Sequence, residues 1–284
     1  MVKSMRVWAG LAVGMILSTR LAEGPVTRLP AGTRIEKNLA YGWHARQKAD
    51  VYRPSGVQLR PAVLYFHGGG WVGMSKEDVI ETHCARWVRA GYVVVNADYR
   101  LAWDSPAPAA VLDARAAARW MLANAAEWGI DPGRIVVAGE SAGGHLALMT
   151  VAAMDQAKYG AGIRAVAVVD WYGPTDLPAL SGTRDWLETW LGKRPELARE
   201  LSPMSYVGMG FPPVIAIHGD ADEVVPFEQS VRLVQAMPQA ELIRAAHGRH
   251  GFDRAQWNSL YDLVFARLQK FTQADRPSRT GGVE

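Results

Sequence analysis

A repeated alternation of short apolar runs with helix-patterned stretches constrains this chain more than any other feature. The runs are Ala62–Phe66, Tyr92–Ala97, Ile135–Ala138, Ala165–Val169, Pro213–His218 and Leu242–Ala245. Each is short and apolar without a polar alternate face, the pattern of a strand covered on both sides. Helical patterning occupies Asp78–Ala90, Ala109–Asn124, His145–Ala153, Phe227–Met237 and Asp253–Phe271. Strands alternating with helices of this length make βαβ units, and right-handed crossovers put the helices on both faces of a mostly parallel sheet. Ahead of them, Arg34–Tyr41 and Ala45–Tyr52 flank Gly42-Trp43-His44 and read as an antiparallel hairpin. The fold class is therefore α/β.

The alternation breaks once. From Trp171 to about Phe211 the chain is rich in Trp, Pro and Gly and lacks a clear strand, with a short helix expected around Arg184–Leu191. An insertion of this size between sheet strands is expected to form a small lid or pocket wall. Residues 23–272 read as a single domain of about 250 residues, and the segment 273–284, with Asp275-Arg276-Pro277-Ser278-Arg279, reads as a disordered tail. At the other end, Lys3 and Arg6 precede the apolar run Val7–Leu17. That run is too short for a bilayer span of ~20 residues but suits a signal-peptide core, so residues 1–22 read as a signal peptide. A secreted or periplasmic protein follows from that reading, and a cytoplasmic one from the alternative of an amphipathic or frayed N-terminal helix. Lys and Arg total 31 against 28 Asp and Glu, a formal charge of +3. The arginines are scattered without a basic run, which argues against a nucleic-acid partner. The single cysteine, Cys84, has no partner within the chain.

Ile135-Val136-Val137-Ala138 runs directly into Gly139-Glu140-Ser141-Ala142-Gly143-Gly144 and then a helix. A G-x-S-x-G sequence in a strand–turn–helix setting lifts its serine above the sheet, and the flanking glycines let strand and helix backbones approach. A phosphate-binding loop would want Gly-Lys-Ser/Thr, which is missing. Ser141 is thus the candidate nucleophile, favoured further by the amide groups of the helix N-terminus. Upstream, Ala62–Phe66 ends in His67-Gly68-Gly69-Gly70-Trp71. Consecutive glycines after a buried strand free backbone N–H groups to stabilise an oxyanion, so Gly69 and Gly70 join Ala142 as the candidate oxyanion hole.

In this type of site the acid and the histidine follow the nucleophile in that order. Of seven histidines, His44, His67, His83 and His145 come too early or sit beside the serine, and His218 ends a strand. His247 and His250 remain; His250 is preferred because three residues of loop carry it away from the sheet edge. No third ligand or helical spacing makes these two a metal pair. For the acid, Gly219-Asp220-Ala221-Asp222-Glu223 follows an apolar run, and Asp222 is chosen to orient the imidazole. Asp220 is read as a turn former, while Asp170 and Asp176 compete from the preceding strand end. Trp71, Trp171, Tyr172, Trp186 and Trp190 are candidates for the pocket wall, with ordinary packing as the alternative.

These motifs, together with Asp98-Tyr99-Arg100-Leu101, Asp170-Trp171-Tyr172-Gly173-Pro174-Thr175-Asp176 and His250-Gly251-Phe252, resemble those of α/β-hydrolases of the bacterial carboxylesterase type. The likeness is near the hormone-sensitive lipase family and the bifunctional feruloyl/acetyl esterases, and extends from about Ala40 to Phe252. It implies a Ser141–His250–Asp222 triad, no cofactor, no metal, and small-molecule or polysaccharide-linked esters as substrates. Two features depart from the hormone-sensitive lipase pattern: Trp103-Asp104 stands where relatives carry Pro-Glu, and the N-terminal region is too short for their helical cap. Both argue against long-acyl lipase activity. An amidase or peptidase on the same triad, and a non-catalytic binding module, are the rival readings; the latter type of module usually lacks a triad member, and none is missing here.

Overall fold

The computed structural model describes residues 28–192 and 194–272. The expected signal peptide and the C-terminal tail lie outside the described residues. Eight strands form one sheet: β1 (Arg34–Ala40), β2 (Lys48–Arg53), β3 (Arg60–Phe66), β4 (Val93–Ala97), β5 (Ile130–Glu140), β6 (Ala167–Trp171), β7 (Val214–Gly219) and β8 (Ala240–Ala245). Their spatial order is β1-β2-β4-β3-β5-β6-β7-β8. β1 and β2 pair antiparallel, β2 pairs antiparallel with β4, and every pairing from β4 to β8 is parallel. The helices are α1 (Ala85–Arg89), α2 (Ala109–Ala123), α3 (Ala125–Trp128), α4 (Ala142–Val151), α5 (Gln156–Tyr159), α6 (Asp185–Leu191), α7 (Glu196–Glu200), α8 (Glu228–Ala236) and α9 (Arg254–Thr272).

The unbroken apolar runs are explained by burial on both faces. In β3, Ala62, Leu64 and Phe66 enter one core layer with α2 and α4, while Val63 and Tyr65 enter the other with α1 and α9. β4 and β5 divide the same way, with Val93, Val95, Ile135 and Val137 on the first face and Val94 and Val136 on the second. Strand order reverses at β3, whose neighbours are β4 and β5. The carboxyl ends of strands beside such a reversal open onto a crevice, the usual place for a site in an open α/β sheet.

Several boundaries differ from the sequence reading. The stretch from Lys76 is not one helix: a 3-10 turn (Lys76–Val79) and a π turn (Ile80–Cys84) precede α1. His83 and Cys84 at the end of the π turn and Ala85 at the start of α1 are all buried. β6 starts at Ala167 and runs to Trp171, because its ladder follows β5 to the serine turn, with Gly139 opposite Asp170 and Glu140 opposite Trp171. Trp171 therefore belongs to the sheet and not to the insertion. The insertion itself holds α6, α7 and a 3-10 turn at Pro203–Tyr206, and its Leu177, Leu187, Trp190, Leu191, Leu201 and Phe211 sit in the main core layer.

Candidate active site

Ser141 lies between β5 and α4 with φ 53° and ψ −120°, a strained conformation held by its surroundings. Its N–H donates to the Trp171 carbonyl at 2.7 Å, and its carbonyl accepts from His145 N–H at 3.1 Å. The flanking glycines are sterically required. A Cβ at Gly139 would stand 2.3 Å from the Gly143 carbonyl oxygen, and one at Gly143 would stand 2.2 Å from that of Phe66. The helix thus packs directly on the ends of β3 and β5, and the serine rides above them.

The loops after β7 and β8 are fastened to each other by backbone. Asp220 N–H donates to the Ala245 carbonyl at 3.2 Å and Ala221 N–H to that of Gly248 at 2.9 Å; at Gly219 a Cβ would stand 2.2 Å from the Gly248 oxygen. This approach brings two of the expected residues to the serine. His250 Nε2 lies 2.9 Å from Ser141 Oγ and its Nδ1 lies 2.7 Å from Asp222 Oδ2. An ionised carboxylate only accepts, so the proton sits on Nδ1 and Nε2 is free to accept from the serine hydroxyl.

Asp222 is held firmly. Its Oδ1 accepts from Val224 N–H at 2.8 Å and Val225 N–H at 2.9 Å, and His218 Nε2 approaches its Oδ2 at 3.3 Å. Burial alone would raise its pKa, but the hydrogen bonds from His218 and His250 outweigh it and hold the carboxyl well below the usual range. His218, set aside in the sequence as the end of a strand, is the contact the reading missed. It is fully buried, with Nε2–H shared between Asp222 and the Val225 carbonyl and Nδ1 accepting from Ser230 Oγ.

The competing residues lie elsewhere. Asp220 accepts from His247 N–H at 2.6 Å and from Arg244 Nε at 2.7 Å, and His247 is exposed. Asp176 pairs with Arg232 at 3.1 Å. Asp170 is buried, accepts from Gly173 N–H at 2.9 Å and is pushed up to about 6 by burial.

Beside the serine, the glycine loop turns sharply, with φ 97° at Gly69, 59° at Gly70 and 58° at Trp71. Among the described residues, the N–H groups of Gly69, Gly70 and Ala142 have no protein acceptor. The loop is braced from below: His67 is buried, stacks on Tyr99 with ring centroids 4.3 Å apart, and places Nε2 3.3 Å from Asp98 Oδ1. Tyr99 O–H in turn donates to the Gly68 carbonyl at 2.9 Å. Arg100 clamps Asp113 through two nitrogens, at 2.9 and 2.6 Å, so Asp98-Tyr99-Arg100-Leu101 supports the loop and does not line the site.

The five candidate aromatics divide. Trp71, Trp171 and Trp190 have no exposed surface and Tyr172 only 3%, so their expected place in the pocket wall is corrected to a place beneath it. Trp71 stacks on Trp190 at 4.0 Å, and Trp171 packs on Trp257 at 4.9 Å. Contact with the inserted segment draws Trp71 and Trp190 inward, and packing against α9 does the same for Trp171. Only Trp186 keeps partial exposure; its Cβ would stand 3.1 Å from a Cβ on Gly70. Tyr172 instead backs the base, its ring edge-on to His250 at 4.8 Å.

A matched family model, BD-FAE, covers residues 49–237. The chain belongs to the BD-FAE family. Among curated relatives, Esterase LipC of Mycobacterium tuberculosis is 31% identical over 240 residues, covering 76% of this chain and 60% of LipC; the chain thus spans about three fifths of that relative. A truncated carbohydrate esterase from gut microbiota superposes with a TM-score of 0.74 at 26% identity, covering 86% of this chain and 100% of that one. Thermogutta terrifontis esterase Est2 gives 0.69 at 29% identity, covering 88% and 99%; it is also known with propionate or butyrate bound and phosphonylated by sarin. The architecture of this BD-FAE member is that of the α/β-hydrolases, the family type its motifs resemble. Among its described residues no helix is long and apolar enough to cross a membrane, and no group of three His, Cys, Asp or Glu side chains is arranged to hold a metal.

Proposed function

We propose that the chain is a serine carboxylesterase acting on short-acyl or aromatic-acyl esters, such as acetyl and feruloyl-type groups. The observation that carries this is the continuous chain from Ser141 Oγ to His250 Nε2 at 2.9 Å and from His250 Nδ1 to Asp222 at 2.7 Å. In this reading His250 takes the Ser141 proton as Oγ bonds to the ester carbonyl carbon. The negative charge that develops on the carbonyl oxygen is met by the N–H groups of Gly69, Gly70 and Ala142. His250 then returns the proton to the departing alcohol, leaving an acyl-serine. A water repeats the cycle: it loses a proton to His250, attacks the acyl carbon, and frees the carboxylic acid as Oγ regains its proton. Asp222 stays ionised throughout and stabilises the imidazolium.

The propionate and butyrate complexes of Est2 support the short-acyl side of the proposal, and the carbohydrate esterase supports a saccharide-linked ester as the natural substrate. The test is hydrolysis of p-nitrophenyl esters from acetate to palmitate, with methyl ferulate and an anilide alongside. Turnover should be highest on acetate to butyrate and on the ferulate. Cleavage of the anilide alone would assign the triad to an amidase, and a maximum at palmitate would make the protein a lipase.

Trp103 supports the aromatic side of the proposal. It is 73% exposed, yet its indole N–H donates to the Val72 carbonyl at 2.8 Å, which fixes the ring against the glycine loop. A flat substituent extending past that loop can stack on it, a contact of about 1 kcal/mol. Trp103→Ala should therefore raise KM for methyl ferulate about 5-fold with kcat unchanged and leave KM for methyl acetate alone. Equal changes for the two esters would remove Trp103 from recognition.

A further inference from the structure

The residue preceding the nucleophile is a carboxylate that the reaction as written does not use. Glu140 Oε2 accepts from Tyr172 O–H at 2.8 Å and from His83 Nε2 at 3.2 Å, with the side chain only 13% exposed. His83 Nδ1 lies 2.6 Å from Tyr261 O–H. That hydroxyl donates to Nδ1, so the ring proton sits on Nε2 and points at Glu140. Full burial pushes the His83 pKa down despite Glu140, so His83 is neutral at neutral pH, and burial pushes the phenols of Tyr172 and Tyr261 up.

Every partner of Glu140 is therefore an uncharged donor. Tyr65 from β3, Tyr99 from the loop after β4, and Tyr261 from α9 are the other titratable groups around it, and all three are protonated because burial raises them. Arg86 is the cation on the neighbouring helix, but its guanidinium is spent on the Asn258 side chain and the Thr82 carbonyl. Among the described residues no lysine or arginine pairs with Glu140. A largely buried carboxylate without a cation is costly, and this one borders the space where a positive charge appears once per proton transfer. Tyr172, which hydrogen-bonds Glu140, packs its ring on His250 at 4.8 Å. Around His250 itself the charged groups are Asp222, in contact, and the exposed Arg249–Glu223 pair on the flanking loops.

We propose that Glu140 is an electrostatic positioning residue: a buried anion, kept without a resident cation by the Tyr172–His83–Tyr261 chain, whose counter-charge is the imidazolium formed on His250. Asp222 fixes the tautomer through contact, whereas Glu140 acts through space, linked to the ring only by way of Tyr172. The inference rests on the esterase reading.

The sign of its effect makes it testable. Removing the Glu140 charge destabilises the imidazolium, so the base stays free to lower pH while the proton-transfer steps lose stabilisation. Glu140→Gln in the full chain should lower plateau kcat on p-nitrophenyl acetate about 3- to 10-fold with KM little changed. The acid limb of its kcat/KM profile should nevertheless move about 0.5 pH unit or more toward acid. NMR titration of the His250 imidazole should shift in the same direction, a readout that needs no turnover. Glu140→Asp, which keeps the charge, should hold the wild-type limb, and Glu140→Thr carries the glutamine expectation if Glu140→Gln does not fold. A lower plateau with an unmoved limb, or a limb and His250 titration moving toward alkali, overturns the proposal. A His250 resonance that shifts in Glu140→Gln as expected, in a wild type that hydrolyses no ester, overturns the esterase reading instead.

Discussion

Ser141→Ala should abolish ester hydrolysis to within background, a loss of about 10⁴–10⁶ in kcat. The size follows from the geometry. In the proposed mechanism Oγ is the atom that bonds to the acyl carbon, and it is the only hydroxyl within hydrogen-bond reach of His250 among the described residues. Without it a water must be recruited and activated afresh, and only the backbone donors of the glycine loop and the binding contacts remain to lower the barrier. Because Ser141 sits on a backbone fixed by the Trp171 carbonyl and by α4, replacing its side chain leaves the elbow in place, so melting temperature should change little. The companion measurement is covalent. An organophosphonate of the kind that modifies Est2 should add one adduct, mapped by mass spectrometry to Ser141 and absent from Ser141→Ala. More than about 1% residual turnover on p-nitrophenyl acetate, or an adduct elsewhere with activity lost, removes Ser141 from the nucleophile's role.

The next largest effect is expected at Asp222. Asp222→Asn should cost about 10⁴ in kcat, although the substitution preserves shape. An amide nitrogen facing Nδ1 donates where the carboxylate accepted, so the imidazole shifts its proton to Nε2, which then faces Ser141 with a hydrogen and cannot accept one. The charge that balances the imidazolium goes at the same time. Val224 and Val225 still hold the side chain in place through the remaining oxygen, so loss of fold cannot account for the effect. Asp220→Asn is the control: its contacts are with Arg244 and the His247 backbone, and activity should stay within about 3-fold. If Asp222→Asn kept a tenth of wild-type activity while Asp220→Asn lost it, the acid would be Asp220.

How much of this was legible in the sequence depends on how local each signal is. The serine turn could be read because its constraint is short-range: Gly139 and Gly143 bracket Ser141, and both are glycines because a Cβ would strike backbone oxygens about 2.3 Å away. Asp222 and His250 could be read because each follows an apolar run and the chain order restricts the choice. The sheet was legible for the same reason, its runs being apolar on both faces. What the sequence hid is what distance in the chain conceals. His83 was dismissed as too early to matter, yet a π turn rotates it inward to meet Glu140, 57 residues on. The roles of the tryptophans were hidden as well, since a Trp under an insertion and a Trp at its edge have the same local pattern. Trp71 and Trp190 stack on one another across 119 positions of chain, and both vanish from the surface. Trp103 drew notice only as a departure from a motif, and its indole bond to Val72 needed coordinates.

The insertion after β6 has a kinetic consequence. A flap that swings away at an oil–water boundary needs an apolar underside that can part from the body beneath it. Here Leu177, Leu187 and Leu201 of the insertion are fully buried in the same layer as the sheet, each worth roughly 1.5–3 kcal/mol of burial. Trp190 is stacked on the Trp71 that follows the glycine loop, so lifting the segment would pull that loop apart with it. If the proposed ester hydrolysis holds, catalysis beside such a rooted segment should track the ester molecules dissolved one by one. Rates on tributyrin should saturate smoothly and show no jump where the substrate passes its solubility limit and droplets form.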